Sequence, residues 1–142
     1  MRGRLIDMDL DTARDFVRGH HRAVLATRDG DRIQQSPVLV GVGDDGRLLV
    51  STRETAYKTK NLRADPWVQL CVLNDGFFGD WLYVEGDAEV VSLPDAMDGL
   101  VEYFRGINGE HDDWDDYRAA MERERRVLVR ITPRRAGPDH SG

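Results

Sequence analysis

The sequence predicts a β-rich α+β domain: a closed or half-closed antiparallel barrel with helices between and after its strands. Three observations lead there. Asp29-Gly30 and Asp45-Gly46 are tight-turn pairs, and they separate short apolar runs at 22–28, 33–42 and 47–52, which reads as a meander of hairpins. Three further runs, 67–73, 80–92 and 127–133, have strand-like composition. The segments with helical spacing fall between these runs and ahead of the last one.

Each element has its own local reason. Asp9 or Asp11 can cap a helix running to about Gly19, whose Leu10, Ala13, Phe16 and Val17 share one face. A short helix is expected over 55–64, with Thr55 as N-cap and Pro66 as its stop. The run 80–92 is long for one strand, and Gly86 is the expected bend or bulge. Pro94 can open a helix at its first position, with Met97, Leu100, Val101 and Phe104 as its apolar stripe. A helix over about 112–125 follows the Gly106–Gly109 break. The expected organisation is one domain over 1–133, with a polar, disordered tail at 134–142.

Composition narrows the function classes. Of 142 residues, 40% are hydrophobic and 32% charged, which describes a soluble globular chain. A net charge of −6 argues against general nucleic-acid binding and against docking on anionic membranes. One cysteine, Cys71, permits no internal disulfide; its mid-strand place in an alternating pattern suggests core. No apolar run is long enough for a signal peptide or a membrane helix, so the expected location is cytoplasmic.

Several motifs dissolve on inspection. Gly41-Val42-Gly43-Asp44-Asp45-Gly46 fits G-x-G-x-x-G, but a strand follows where a helix is needed, and two aspartates would repel a phosphate; a hairpin turn explains it better. His20, His21, His111 and His140 form no zinc pattern, so no metal is expected. Asp112, Asp113, Asp115 and Asp116 lack the spacing of a calcium loop and suit a helix N-terminus.

Two stretches keep a functional reading. Lys58 stands in the first turn of the 55–64 helix, at the positive end of its dipole, with Lys60 and Arg63 close behind. Solvated surface charge is one explanation. The other is an anion, which would satisfy the free N–H groups around Ala56, Tyr57 and Lys58 and pair with Lys58 itself. A charge-assisted hydrogen bond contributes about 1.5–3 kcal/mol, against a dipole penalty of about 0.3–1 kcal/mol. Because the rest of the chain is acidic, the expected anion is a phosphate on a small molecule. The second stretch, Gln34-Gln35-Ser36-Pro37-Val38, is a polar interruption in an apolar strand. Pro37 makes it an edge, a bulge or a rim, and a rim would offer Gln35 and Ser36 to the polar edge of a planar ring.

Three segments together resemble the pyridoxamine 5'-phosphate oxidase-like split barrels, and more narrowly the flavin/deazaflavin oxidoreductases of the B group. They are Gln34-Gln35-Ser36-Pro37-Val38; Lys58 to Pro66, similar to K-x-x-N-L-x-x-D-P; and Gly109 to Met121, leading to Arg125-Arg126-Val127. The resemblance spans about 9–133 and implies a six-stranded antiparallel split β-barrel, the FMN-binding split barrel, with flanking helices. It implies a homodimer with cofactor at the interface. The cofactor would be coenzyme F420, with FMN as the alternative, and the activity oxidoreductase. A hydride would pass from reduced deazaflavin to an electron-poor small molecule such as a conjugated carbonyl, quinone or tetrapyrrole. A non-catalytic cofactor- or haem-binding barrel is a third possibility.

By the same resemblance, Lys58 contacts the phosphate, helped by Thr59, Lys60, Ser51 and Thr52. The Ser36-Pro37-Val38 backbone would lie along the ring system, with Gln35 beside it as a further cofactor-binding candidate, and Trp81 and Tyr83 come near the ring pocket. Arg53, Lys60 and Arg63 are candidates for the carboxylates of an F420 tail. Relatives often carry a second basic residue two positions before the lysine; Ala56 stands there in this chain. No side chain stands out as a general acid, with Tyr57, Tyr83 and His111 the candidates.

Overall fold

The computed structural model describes residues 8–138. The elements, in order, are α1 (Leu10–Gly19), β1 (Arg22–Asp29), β2 (Arg32–Leu39), β3 (Gly41–Val42), β4 (Leu48–Arg53), α2 (Tyr57–Ala64), β5 (Trp67–Leu73), β6 (Trp81–Val91), α3 (Met97–Asn108), α4 (Trp114–Arg123) and β7 (Arg126–Gly137). One seven-stranded sheet runs in the order β2-β1-β5-β6-β7-β4-β3, with every pairing antiparallel. It curls until β2 touches β4, which lie five places apart in that order, and so forms a split barrel. The seventh strand is the two-residue β3.

β3 exists because the apolar run 33–42 breaks at Val40. The Val40 N–H donates to the His21 carbonyl, and the Val40 carbonyl meets His21 Nδ1. The chain leaves β1 there and crosses to the other side of the sheet. The Asp45-Gly46 turn forms as expected, with Gly46 at φ +82° and its N–H on the Gly43 carbonyl. G-x-G-x-x-G is therefore a hairpin.

Alternation places one face of the strands inside. Leu25, Val50, Leu70, Val72, Leu82, Val84, Val129 and Ile131 fill the barrel, with Ala13 and Val17 of α1 and Leu62 of α2 packed against them. Asp9 caps α1 by accepting from the Thr12 N–H. A second layer lies on the outer face of β4 and β7, where Leu49 and Leu128 meet Leu100 of α3 and Tyr117 and Met121 of α4. Cys71 points out of the barrel and is half-buried, not core. Its neighbours Leu70 and Val72 are the inward pair.

The end of the chain differs from expectation. β7 runs past Pro133 to Gly137, and Ala136 is fully buried, so 134–137 is a strand and not a tail. Residues 139–142 lie outside the described residues. Glu85 pairs with Arg135 while Gly86 pairs with Pro133, so Arg134 is the extra residue of a bulge. Pro133 sits at this irregularity, where its missing N–H costs least. Gly86 is required opposite it: a Cβ there would stand 2.3 Å from the Thr132 carbonyl oxygen. Pro94 does not open α3; it lies in a turn, and the Met97 N–H donates to the Pro94 carbonyl as the helix begins. No helix among the described residues is long and apolar enough to cross a membrane.

Candidate functional site

α2 begins one residue later than expected. Its N-cap is Ala56, not Thr55, and no side chain caps it. The Ala56 N–H is used, donating to the Arg53 carbonyl. The first intrahelical bonds come from Thr59 and Lys60, both to the Ala56 carbonyl. The N–H groups of Tyr57 and Lys58 precede them and have no hydrogen-bond partner among the described residues.

The buried side of α2 fixes its position. Thr59 is fully buried and its Oγ1 donates to the Arg53 carbonyl at 2.6 Å, so it holds the helix to the end of β4 and is turned away from solvent. Asn61 donates to Thr27 Oγ1 at 3.1 Å, and Leu62 enters the core. Asp65 accepts two hydrogen bonds from Arg28, at 3.0 and 3.2 Å, and one from the Trp67 N–H. These contacts account for most of the Lys58-to-Pro66 motif as scaffold.

Lys58 is what remains. With Pro37 and Val38 of β2, Ser51, Thr52 and Arg53 of β4, Thr55, Ala56 and Arg126, it lines a cavity of about 370 Å³. Burial holds the Lys58 ammonium below its ordinary pKa, and the nearby Arg126 guanidinium pushes in the same direction. Among the described residues Lys58 has no ion-pair partner. A positive cavity with two open backbone donors at its edge is built to accept an anion.

A largely apolar cavity of about 440 Å³ shares Pro37 and Val38 with the first and adds Arg22, Ala23, Val24, Leu39 and Leu73. The two form one amphipathic groove, cationic at the α2 end and apolar along the outer edge of β1 and β2. Ser36, the residue before them in β2, lines neither cavity; its buried Oγ has no hydrogen-bond partner among the described residues.

Five of the ten cofactor residues expected from the sequence therefore meet in one cavity: Pro37, Val38, Ser51, Thr52 and Lys58. Gln35 is exposed on the outer face of β2, opposite Ala26. Lys60 is exposed and lines neither cavity. Trp81 starts β6 across from Leu73, beside the apolar end. Arg63 is engaged by Glu54 and by Ser92 Oγ.

The candidate proton donors stand apart from the cationic cavity. Tyr57 is 77% exposed. The Tyr83 hydroxyl donates to Glu85 and accepts from Gln69. Burial, then Glu85, raises its pKa. His111 packs against Phe104, Trp114 and Tyr117.

Arg126 was not among the site residues read from the sequence. It opens β7, and the β4–β7 register sets it opposite Arg53. Nothing local marks this, because the partner strand lies more than seventy residues earlier. Arg126 also lines a further cavity of about 460 Å³, with Glu54, Ser92, Leu93, Glu122 and Arg125.

Comparison with known proteins agrees with this architecture. A protein from Mycobacterium tuberculosis, Rv2991, is similar with a TM-score of 0.72 and 26% identity, covering 96% of this chain and 87% of its own. An F420 reductase is similar at 20% identity and a TM-score of 0.65, covering 87% of this chain and 94% of its own. The General Stress Protein 26 of Bacillus anthracis is similar at 17% identity and a TM-score of 0.60, covering 87% and 88%. The family model for pyridoxamine 5'-phosphate oxidase matches residues 10–137, nearly the whole described chain. By that match and by its curled seven-stranded sheet, this chain belongs to the pyridoxamine 5'-phosphate oxidase family of split barrels.

Proposed function

We propose that this chain is an oxidoreductase of the F420-dependent kind, reducing an electron-poor small molecule such as a conjugated carbonyl, quinone or tetrapyrrole. The observation that carries this reading is the amphipathic groove: a cationic cavity at Lys58 joined through Pro37 and Val38 to an apolar one. A phosphate-bearing, planar, partly apolar cofactor has the same division. Deazaflavin, when bound, supplies hydride chemistry.

The residues of the chain bind, orient and exclude water. Lys58 and the Tyr57 and Lys58 N–H groups would hold the phosphate, and Ser51 and Thr52 line the same space. Val24, Leu39 and Leu73 supply the dry wall along the ring. Among the described residues no carboxylic acid, histidine or tyrosine lines either cavity, and solvent is the proposed proton source. The likeness to an F420 reductase supports deazaflavin. FMN is the second reading, because the same cationic cavity accepts a terminal phosphate and the family is that of an FMN-type barrel.

The apolar end of the groove is open, and Leu39, which lines it, is 43% exposed. A second copy of the chain covering this face would close the groove, which supports a homodimer with the cofactor at its interface. Cytoplasmic location accompanies this reading.

The deciding experiment is spectroscopic. Colourless purified protein that quenches F420 fluorescence on titration supports the deazaflavin reading. Yellow protein with an FMN spectrum replaces it with the second, and a Soret band overturns both. Sedimentation at equilibrium tests the dimer, and a monomer at micromolar concentration would remove it.

A further inference from the structure

We propose that Arg126 is the second cation of the anion site, facing Lys58 across the cavity and binding the phosphate directly. The inference rests on the cofactor-site reading above. Three observations carry it.

The first is position. Arg126 lines the Lys58 cavity although it comes from β7, at the far end of the chain from α2. The register that pairs Arg126 with Arg53 brings it there.

The second is the way the guanidinium is held. Nε and Nη2 both donate to Glu124 Oε1, at 3.0 and 2.8 Å. This fixes one edge of the planar group and leaves the Nη1 donors outside any hydrogen bond among the described residues. Arg53 Nη2 lies 3.8 Å from the same carboxylate oxygen. One carboxylate thus serves two arginines, and with Lys58 the cluster carries three cations against one anion. The surplus is two positive charges, which suits a phosphate.

The third is the helix beside it. α2 begins with Ala56 as an uncapped N-cap and no acidic residue in its first turn, so α2 itself contributes one side-chain cation to the cavity, Lys58. A phosphate in the cavity would take the Tyr57 and Lys58 N–H groups and Lys58 Nζ on one side. Arg126 supplies donors on the other. A fork of N–H groups meets phosphate oxygens in a geometry that a lysine cannot copy.

The test uses full-length protein and two ligand pairs: F420 with its phosphate-free chromophore, and FMN with riboflavin. Arg126→Ala is expected to weaken the phosphate-bearing member by about 10- to 100-fold. The phosphate-free member is expected to stay within about twofold, since it has no group at this end. Arg126→Lys should recover part of the loss, because it keeps the charge and loses the fork. Equal affinity of wild type and Arg126→Ala for the phosphate-bearing ligand overturns the assignment.

A second measurement does not depend on the chromophore. Inorganic phosphate, followed by ³¹P line broadening, should be bound by wild type and released by Arg126→Ala, with circular dichroism unchanged. Broadening that survives in Arg126→Ala, or is absent from wild type, overturns the assignment. If phosphate binds through Arg126 while neither ligand pair binds, the cofactor reading fails and the anion site stands.

Discussion

Segments 58–66 and 109–121 are the two densest motif runs in this chain, and the structure puts them to different uses. In the first, Thr59, Asn61 and Leu62 face inward, Asp65 anchors Arg28 and Trp67, and Lys58 alone is turned to a cavity without an ion-pair partner. In the second, Glu110, His111, Asp113, Trp114 and Tyr117 all have internal partners. His111, Trp114 and Tyr117 close an aromatic cluster with Phe104, and the Tyr117 hydroxyl donates to the Leu100 carbonyl at 2.7 Å. Glu110 accepts from Arg105 and from Trp114 Nε1, and Asp113 caps α4 through the Asp116 N–H. Motif density therefore measures how many packing constraints an element meets. The residue left over is the one that points to a ligand.

The comparison breaks most sharply at Lys58. Lys58→Ala should weaken a phosphate-bearing cofactor by about 10- to 100-fold, read by F420 fluorescence quenching; an unchanged affinity would return Lys58 to the surface-charge reading. Its effect on stability has the opposite sign. Burial and Arg126 hold the Lys58 ammonium below 10.5, so the ligand-free folded state binds that proton less tightly than the unfolded chain. Ligand-free stability should then be lower on the acid side of the folded pKa and rise with pH toward 10.5. Lys58→Met should remove that slope and raise ligand-free stability near neutral pH, as denaturant titrations at several pH values would show.

Segment 109–121 should behave in the reverse manner. Tyr117→Phe deletes a buried donor, and urea unfolding should show a loss of about 1–2 kcal/mol with cofactor affinity unchanged. Burial first raises the Tyr117 pKa to about 12, so the hydroxyl remains a donor at neutral pH. Asp113→Ala removes the α4 cap and should cost about 1 kcal/mol, again with no change in affinity. A marked fall in affinity from either variant would bring this segment into the site.

Much of the fold was legible because its signals are local. The strand at 67–73 was bounded correctly by alternation, and Gly86 was placed at a bulge from length and composition. The helix cap at 55 was misplaced by one residue because Thr55 has the right chemistry, while the backbone turns at Ala56. The strand end at Pro133 was misjudged for a related reason. Proline ends an ordinary strand, and only the β6 partner provides the bulge that accommodates it.

By itself, then, the sequence determined the hairpins, the amphipathic helices and the presence of a lysine at the start of α2, since periodicity, turn chemistry and capping act over a few residues. The tertiary structure decided which residues share the site. The curl of the sheet brings β2 against β4 and its order sets β7 beside β4, so Pro37, Ser51, Lys58 and Arg126 line one cavity from four separate elements. It also decided that Thr59 and Arg63, equally plausible in sequence, are occupied elsewhere. Register between distant strands depends on the whole apolar pattern closing around one core, and no short stretch records it.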